Sequence, residues 1–204
     1  MDFIPILKIA AVGSLLSLDA TVIGQFMVSR PIVAGPVIGW FCGDIKTGLL
    51  VGVLIELLWI GVVPVGVGVP PDSTIVSIVA TALSCNKTDT ELALAIILAV
   101  PLGIIFKRLD IMHRKYNRVF LPVVENGLYH EKYYLLTVVI WLSIFFTFVK
   151  GFLSLIISIL LLQIVLNYIL PVVISQIEIV SGLKIFLLLL PVLGLSSFLA
   201  GFVK

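Results

Sequence analysis

The apolar runs of this chain, and the short polar breaks that cut them, limit its fold more than any other feature. Apolar stretches lie at roughly 3–18, 31–43, 48–71, 73–85, 92–106, 134–149, 151–174 and 183–203. A helix needs about 20 apolar residues to cross the hydrocarbon of a bilayer, and several of these stretches are shorter. Polar or turn-forming residues separate them: Asp19, Gln25, Ser29-Arg30-Pro31, Gly43-Asp44 and Pro70-Pro71-Asp72. Lipid cannot satisfy backbone groups freed at such breaks, so irregular backbone at membrane depth must sit inside protein or along a cavity. The expected fold is an all-α polytopic membrane protein with full spans mixed with broken or re-entrant helices, a common way to build transporter sites. Residues 134–204 read as plainer spans, with Pro171 and Pro191 as kink points. Composition agrees: 61% of the 204 residues are hydrophobic and 12% charged, against about 25% charged in ordinary soluble domains.

Charge placement sets the expected orientation. Residues 107–118 hold five of the thirteen Lys and Arg, and the positive-inside rule places this connector in the cytoplasm. The net charge of +2 gives no ground for a nucleic-acid partner. Asp2 and Lys8 break the pattern of a cleavable signal peptide. The chain reads as a single membrane domain, 1–204, with a motif-rich half (1–106), a polar cytoplasmic connector (107–132) and a helical half (133–204). Gly35, Gly39 and Gly43 recur every fourth residue, as do Gly48 and Gly52, with Glu56 next in that series. Small residues at this spacing let helices approach closely in lipid. These faces are expected to serve close helix packing.

Chemistry is sparse. There is no phosphate-binding Gly-x-x-x-x-Gly-Lys-Ser/Thr loop. His113 and His130 read as solvated connector residues. Cys42 and Cys85 lack metal-ligand spacing and read as small buried or interfacial side chains, not as a disulfide framework. No metal, cofactor or catalytic residue is expected, so the chain is read as a non-enzyme. The polar residues left over are Asp19, Gln25, Arg30, Asp44, Lys46, Glu56 and Asp72. Asp44 and Lys46 read as a surface turn with a local ion pair. Asp72 suits either capping of a helix from Ser73 or ligand binding. Glu56 stands in an apolar run with no cation between Lys46 and Lys87, and a carboxylate there is costly unless it faces a bundle interior or watery cavity. Trp59, three residues on, shares its helix face. A carboxylate beside a flat ring suits a polyhydroxylated solute, through hydroxyl hydrogen bonds and packing against C–H faces.

Taken in order, Leu18-Asp19, Gln25-Phe26, Arg30-Pro31, Gly43-Asp44-x-x-Thr47-Gly48, Gly52, Leu54-x-Glu56, Gly61, Val65-Gly66 and Pro70-Pro71-Asp72 form a denser pattern. With Ala99-Val-Pro101-Leu and Glu125-Asn126-Gly127 following, the chain resembles the IIC membrane subunit of the mannose/fructose/sorbose family of bacterial sugar phosphotransferase systems. The resemblance implies an inner-membrane, multi-pass subunit paired with a IID-type membrane subunit, with soluble IIA and IIB proteins carrying the phosphoryl group. It implies that a hexose binds within the membrane, moves inward and is phosphorylated by the soluble partner. Carried over by position, Asp19, Gln25, Glu56 and Asp72 are the polar groups expected near the sugar, with Trp59 added from its shared face with Glu56. Two other readings stay open: a non-transporting membrane scaffold or regulatory relic of that family, and an ion-coupled secondary transporter in which Glu56 or Asp72 exchanges a proton.

Overall fold

The computed structural model describes residues 3–62 and 69–202, so Val65-Gly66 of the motif series lies outside the described residues. The described chain is helical: α1 (Phe3–Leu18), α2 (Pro31–Cys42), α3 (Ile45–Trp59), α4 (Ser73–Ser84), α5 (Asp89–Asn117), α6 (Leu121–Tyr129), α7 (Tyr134–Ile174) and α8 (Ile177–Phe202), with a single 3-10 turn, Arg118–Phe120, joining α5 to α6. The runs Asp89–Tyr129, Tyr134–Ile174 and Ile177–Ser196 are long and apolar enough to cross a bilayer, whereas α1, α2 and α4 are shorter apolar helices. This is a polytopic membrane fold with long spans and broken ones together.

The short helices are placed where such helices must be. Every residue of α4 from Thr74 to Ser84 is buried, enclosed by α1, α2, α3, α5 and α7. A 12-residue helix is roughly 18 Å long at 1.5 Å per residue, about half a crossing, and its free ends have protein around them instead of lipid. Asp72 caps it, its carboxylate accepting from the Ile75 amide at 3.0 Å. Around α4 sit Ile6 and Ile9 of α1, Ile38 of α2, Ile55 of α3, Ile96 of α5 and Leu155 of α7, all at most 1% exposed.

Helices α2 and α3 form a hairpin whose seam is glycine. A Cβ added at Gly35 would collide with the Gly48 carbonyl oxygen, and one at Gly52 with the Pro31 carbonyl oxygen. At Gly39 it would come within 2.6 Å of the Asp44 carbonyl oxygen. The expected close-packing faces are real, but they are consumed inside the chain. Backbone meets backbone across this seam at Gly35, Gly39, Gly48 and Gly52, whereas a Cβ at Gly43 would meet nothing within 4 Å.

The polar connector is itself largely helical. Helix α5 runs unbroken through the basic residues to Asn117, because Lys, Arg, Leu and Met are good helix formers and Asp110 pairs with Arg114 one turn on, at 2.7 Å. Pro171 and Pro191 lie inside continuous helices.

Candidate functional site

The first turns of α2 and α4 and the last turn of α3 meet. Arg30 precedes Pro31, which restricts it to extended backbone, and it has φ −59° and ψ 138° at the start of α2. Hydroxyls of α4 reach the carbonyls at this helix start: Thr74 Oγ1 donates to the Ser29 oxygen at 2.7 Å, and Ser77 Oγ to the Pro31 oxygen at 3.4 Å. On the other side, the Arg30 guanidinium reaches Glu56 on α3, Nη1 to Oε1 at 2.6 Å.

Glu56 therefore has a cation, from 26 positions earlier in the chain, beyond the reach of local spacing. Arg30 is 53% exposed and Glu56 only 16%. The second carboxylate oxygen, Oε2, is buried without a hydrogen-bond partner; the only other such side-chain atom among the described residues is Thr81 Oγ1. Buried polar atoms are paired in the great majority of cases, and each exception calls for an explanation. Trp59 lies one turn along α3, half-buried against the apolar core.

Asp19 organises the loop between α1 and α2. Its carboxylate accepts from the Phe26 amide at 2.7 Å, the Ser29 amide at 3.1 Å and Ser29 Oγ at 3.3 Å. Through Ser29 it is tied to Thr74 and hence to the start of α4. Gln25 sits on the exposed part of this loop in the left-handed region, φ 53°. Asp72 caps α4, while its own amide donates to the Gly103 oxygen of α5 at 3.1 Å. Asp19, Arg30, Glu56 and Asp72 are thus gathered around the α2 and α4 starts, with Trp59 on the adjoining turn and Gln25 outermost.

Asp44 and Lys46 are at the opposite end of the hairpin. Asp44 caps α3 through the Thr47 amide at 3.1 Å, and its other oxygen accepts from the Asn86 amide at 3.1 Å. The bonds from Thr47, then the Asn86 amide, hold its pKa below the usual carboxylate value, with Lys46 adding a weaker charge effect. The expected local ion pair is replaced by a cap and a bond to the end of α4.

A second polar cluster escaped sequence reading. Lys150, in the middle of apolar α7, pairs with Asp110 of α5 at 2.8 Å, and Asp110 also holds Arg114. His113, expected as a solvated connector residue, lies instead on the same face of α5, half-buried and 3.1 Å from Thr147 Oγ1. The available signal was Lys150 itself: a lysine alone in a long apolar run requires a carboxylate partner.

Comparison with known proteins identifies the family. A family model described as the PTS system sorbose-specific IIC component matches residues 3–203. The chain belongs to that family. Among curated IIC relatives, the sorbose-specific EIIC component of Klebsiella pneumoniae is 31% identical over 52% of this chain and 40% of its own length. The mannose-specific EIIC component of Escherichia coli (strain K12) is 27% identical over 70% of this chain and 50% of its own. The fructose permease IIC component of Bacillus subtilis (strain 168) is 31% identical over 59% and 43%. The IIC chain described here thus spans about half the length of these relatives. A solved structure described as the mannose transporter ManYZ in complex with microcin E492 shares the fold, with TM-score 0.67 and 22% identity, covering 98% of this chain and 79% of that one; another, described as a membrane protein, has TM-score 0.75 and 22% identity, covering 97% of this chain and 78% of that one.

Proposed function

We propose that this IIC chain is a sugar-translocating membrane subunit of a phosphoenolpyruvate-dependent phosphotransferase system, resident in the bacterial inner membrane. It carries a hexose inward, and soluble IIA and IIB partners phosphorylate it at the cytoplasmic face. The observation that carries this reading is the buried, unpartnered Glu56 Oε2 beside Arg30, at the meeting of two broken helix starts. A carboxylate oxygen kept dry and unpaired is ready to accept a sugar hydroxyl, and Trp59 offers a ring one turn away. Asp19 shapes the loop, and Asp72 sets the start of α4; both fix the geometry around the sugar. Relatives named for sorbose, mannose and fructose support a hexose-sized substrate. The basic end of α5 faces the cytoplasm on this reading, where the soluble partners act. A IID-type subunit completes the membrane complex.

The test is uptake and phosphorylation of a panel of labelled hexoses in cells expressing this chain with its IID, IIA and IIB partners. Phosphorylated sugar should accumulate for at least one hexose and vanish when this chain or the IID subunit is omitted. Unphosphorylated accumulation that tracks a proton gradient would instead establish ion-coupled transport.

A further inference from the structure

Cys42 ends α2 and Cys85 follows the last residue of α4, 43 positions apart by subtraction of their numbers. Their spacing gives no reason to link them, but the fold does. Asn86, next to Cys85, donates through Nδ2 to the Cys42 carbonyl oxygen at 3.1 Å, and its amide donates to Asp44 at 3.1 Å. These two bonds hold the ends of the two helices together, so that Cys42 at the end of α2 stands beside the turn that carries Cys85. Both cysteines are free, Cys85 buried and Cys42 half-exposed. The surroundings are aqueous in character: Lys46, Asn86, Lys87, Thr88 and Asp89 are exposed.

The side of the membrane follows from α5. This helix starts at Asp89, next to the cysteine pair, runs through apolar residues and reaches the basic cluster from Lys107 on. If the basic end is cytoplasmic, the cysteine end lies at the outer face, where disulfides form and persist. We propose that Cys42 and Cys85 are the two halves of a disulfide formed at this outer end by exchange with a disulfide-bearing oxidant of that compartment. The more exposed Cys42 sulfur, as thiolate, attacks the oxidant's S–S bond and releases one thiol. Cys85 then attacks the mixed disulfide and releases the second. Two thiol protons and two electrons leave the pair, and the oxidant's disulfide becomes two thiols. The bond would staple the α2–α3 hairpin to α4 at the far ends of the helices that carry Arg30, Glu56 and Asp72.

The compartment rests on the orientation proposed above, whereas the pairing itself does not, and the experiment separates them. In the first arm, the purified full chain is incubated with oxidised glutathione, quenched with maleimide and mapped by mass spectrometry. A linked Cys42–Cys85 peptide pair lighter by two hydrogens is expected, with loss of both alkylatable thiols. Cys85→Ser should leave Cys42 carrying glutathione, and Cys42→Ser should leave Cys85 unmodified. Two fully alkylated thiols in the glutathione-treated wild type would overturn the pairing. In the second arm, right-side-out membrane vesicles receive an impermeant maleimide before or after an impermeant phosphine reductant. Cys42 should label only after reduction. Labelling confined to inverted vesicles would overturn the outer-face assignment even where the first arm succeeds.

Discussion

Glu56 and Asp44 are carboxylates at opposite ends of one helix, and the helix treats them oppositely. Asp44 caps the N-terminus of α3, where exposed amides and the macrodipole favour a negative charge. Glu56 sits in the last turn, where the dipole opposes it, and its Oε2 is buried and unpaired. Its ion pair explains little, because the Arg30 partner is half exposed and such pairs contribute only about 0–1 kcal/mol. A position that costs stability and returns little to the fold supports the sugar site proposed above. Hydrogen bonds to charged groups contribute about 1.5–3 kcal/mol and neutral ones about 0.5–1.5, so Glu56→Gln should weaken sugar binding roughly tenfold. Trp59→Ala should weaken it too, and Trp59→Phe less. Binding isotherms on the purified complex check this, and unchanged affinity in both Glu56→Gln and Trp59→Ala would remove the sugar from this site. Asp44 gives the contrasting result. Its folded pKa lies below the unfolded value near 3.8, so its contribution is present above that value and is lost as pH falls through the folded pKa. Asp44→Ala should lower stability by about 0.5–2 kcal/mol, the usual loss of an N-cap, at neutral pH. The deficit should shrink at strongly acid pH in thermal melts of the detergent-solubilised protein.

Among the elements, what could be read from sequence depended on range. Short-range signals were faithful: Asp72 before Ser73 is a cap, Arg30-Pro31 is a helix start, and a four-residue glycine period is a close-packed face. Longer-range partnerships could not be read, because nothing local encodes them. The cation for Glu56 lies 26 residues back and the carboxylate for Lys150 lies 40 residues back. For the same reason the glycine faces were legible as faces while their occupant was not. That occupant is the other arm of the same hairpin, and its contact is testable. Gly48→Ala would drive a methyl into the Gly35 carbonyl oxygen. Neither backbone has a rotamer to change, so the helices must separate, at about 1–3 kcal/mol for overpacking of this kind. Gly182→Ala in α8 meets nothing within 4 Å and should instead be neutral or stabilising by up to about 1 kcal/mol, from helix propensity. Thermal unfolding of the two variants side by side should show a lowered midpoint only for Gly48→Ala. Equal midpoints would mean that α2 and α3 are not in backbone contact.

For the whole molecule, the question is which way it faces, because every placement of partners depends on it. Helix α5 carries its acidic residues, Asp89 and Glu91, in its first turn and Arg114 and Lys115 in its last. Its buried face near the basic end is taken up by Phe106, Asp110 and His113, the last two bonded to α7. Arg108, Lys115 and Arg118 are left on the exposed side, where they contribute fully to the positive-inside bias. A labelling probe should stand on that exposed side too. Asn117 is half-buried and bonded to His113 at 3.4 Å, whereas Val119 is 69% exposed. Val119→Cys, in a background with Cys42→Ser and Cys85→Ser, should resist an impermeant maleimide in right-side-out vesicles and label fully in inverted ones. The reverse pattern would place the basic end outside. It would then put the Asp19–Glu56–Asp72 gathering nearer the outer face, since the Asp72 amide is bonded to Gly103, close to that end of α5. The soluble phosphoryl carriers would have no route to a sugar held there without a large inward movement of the site.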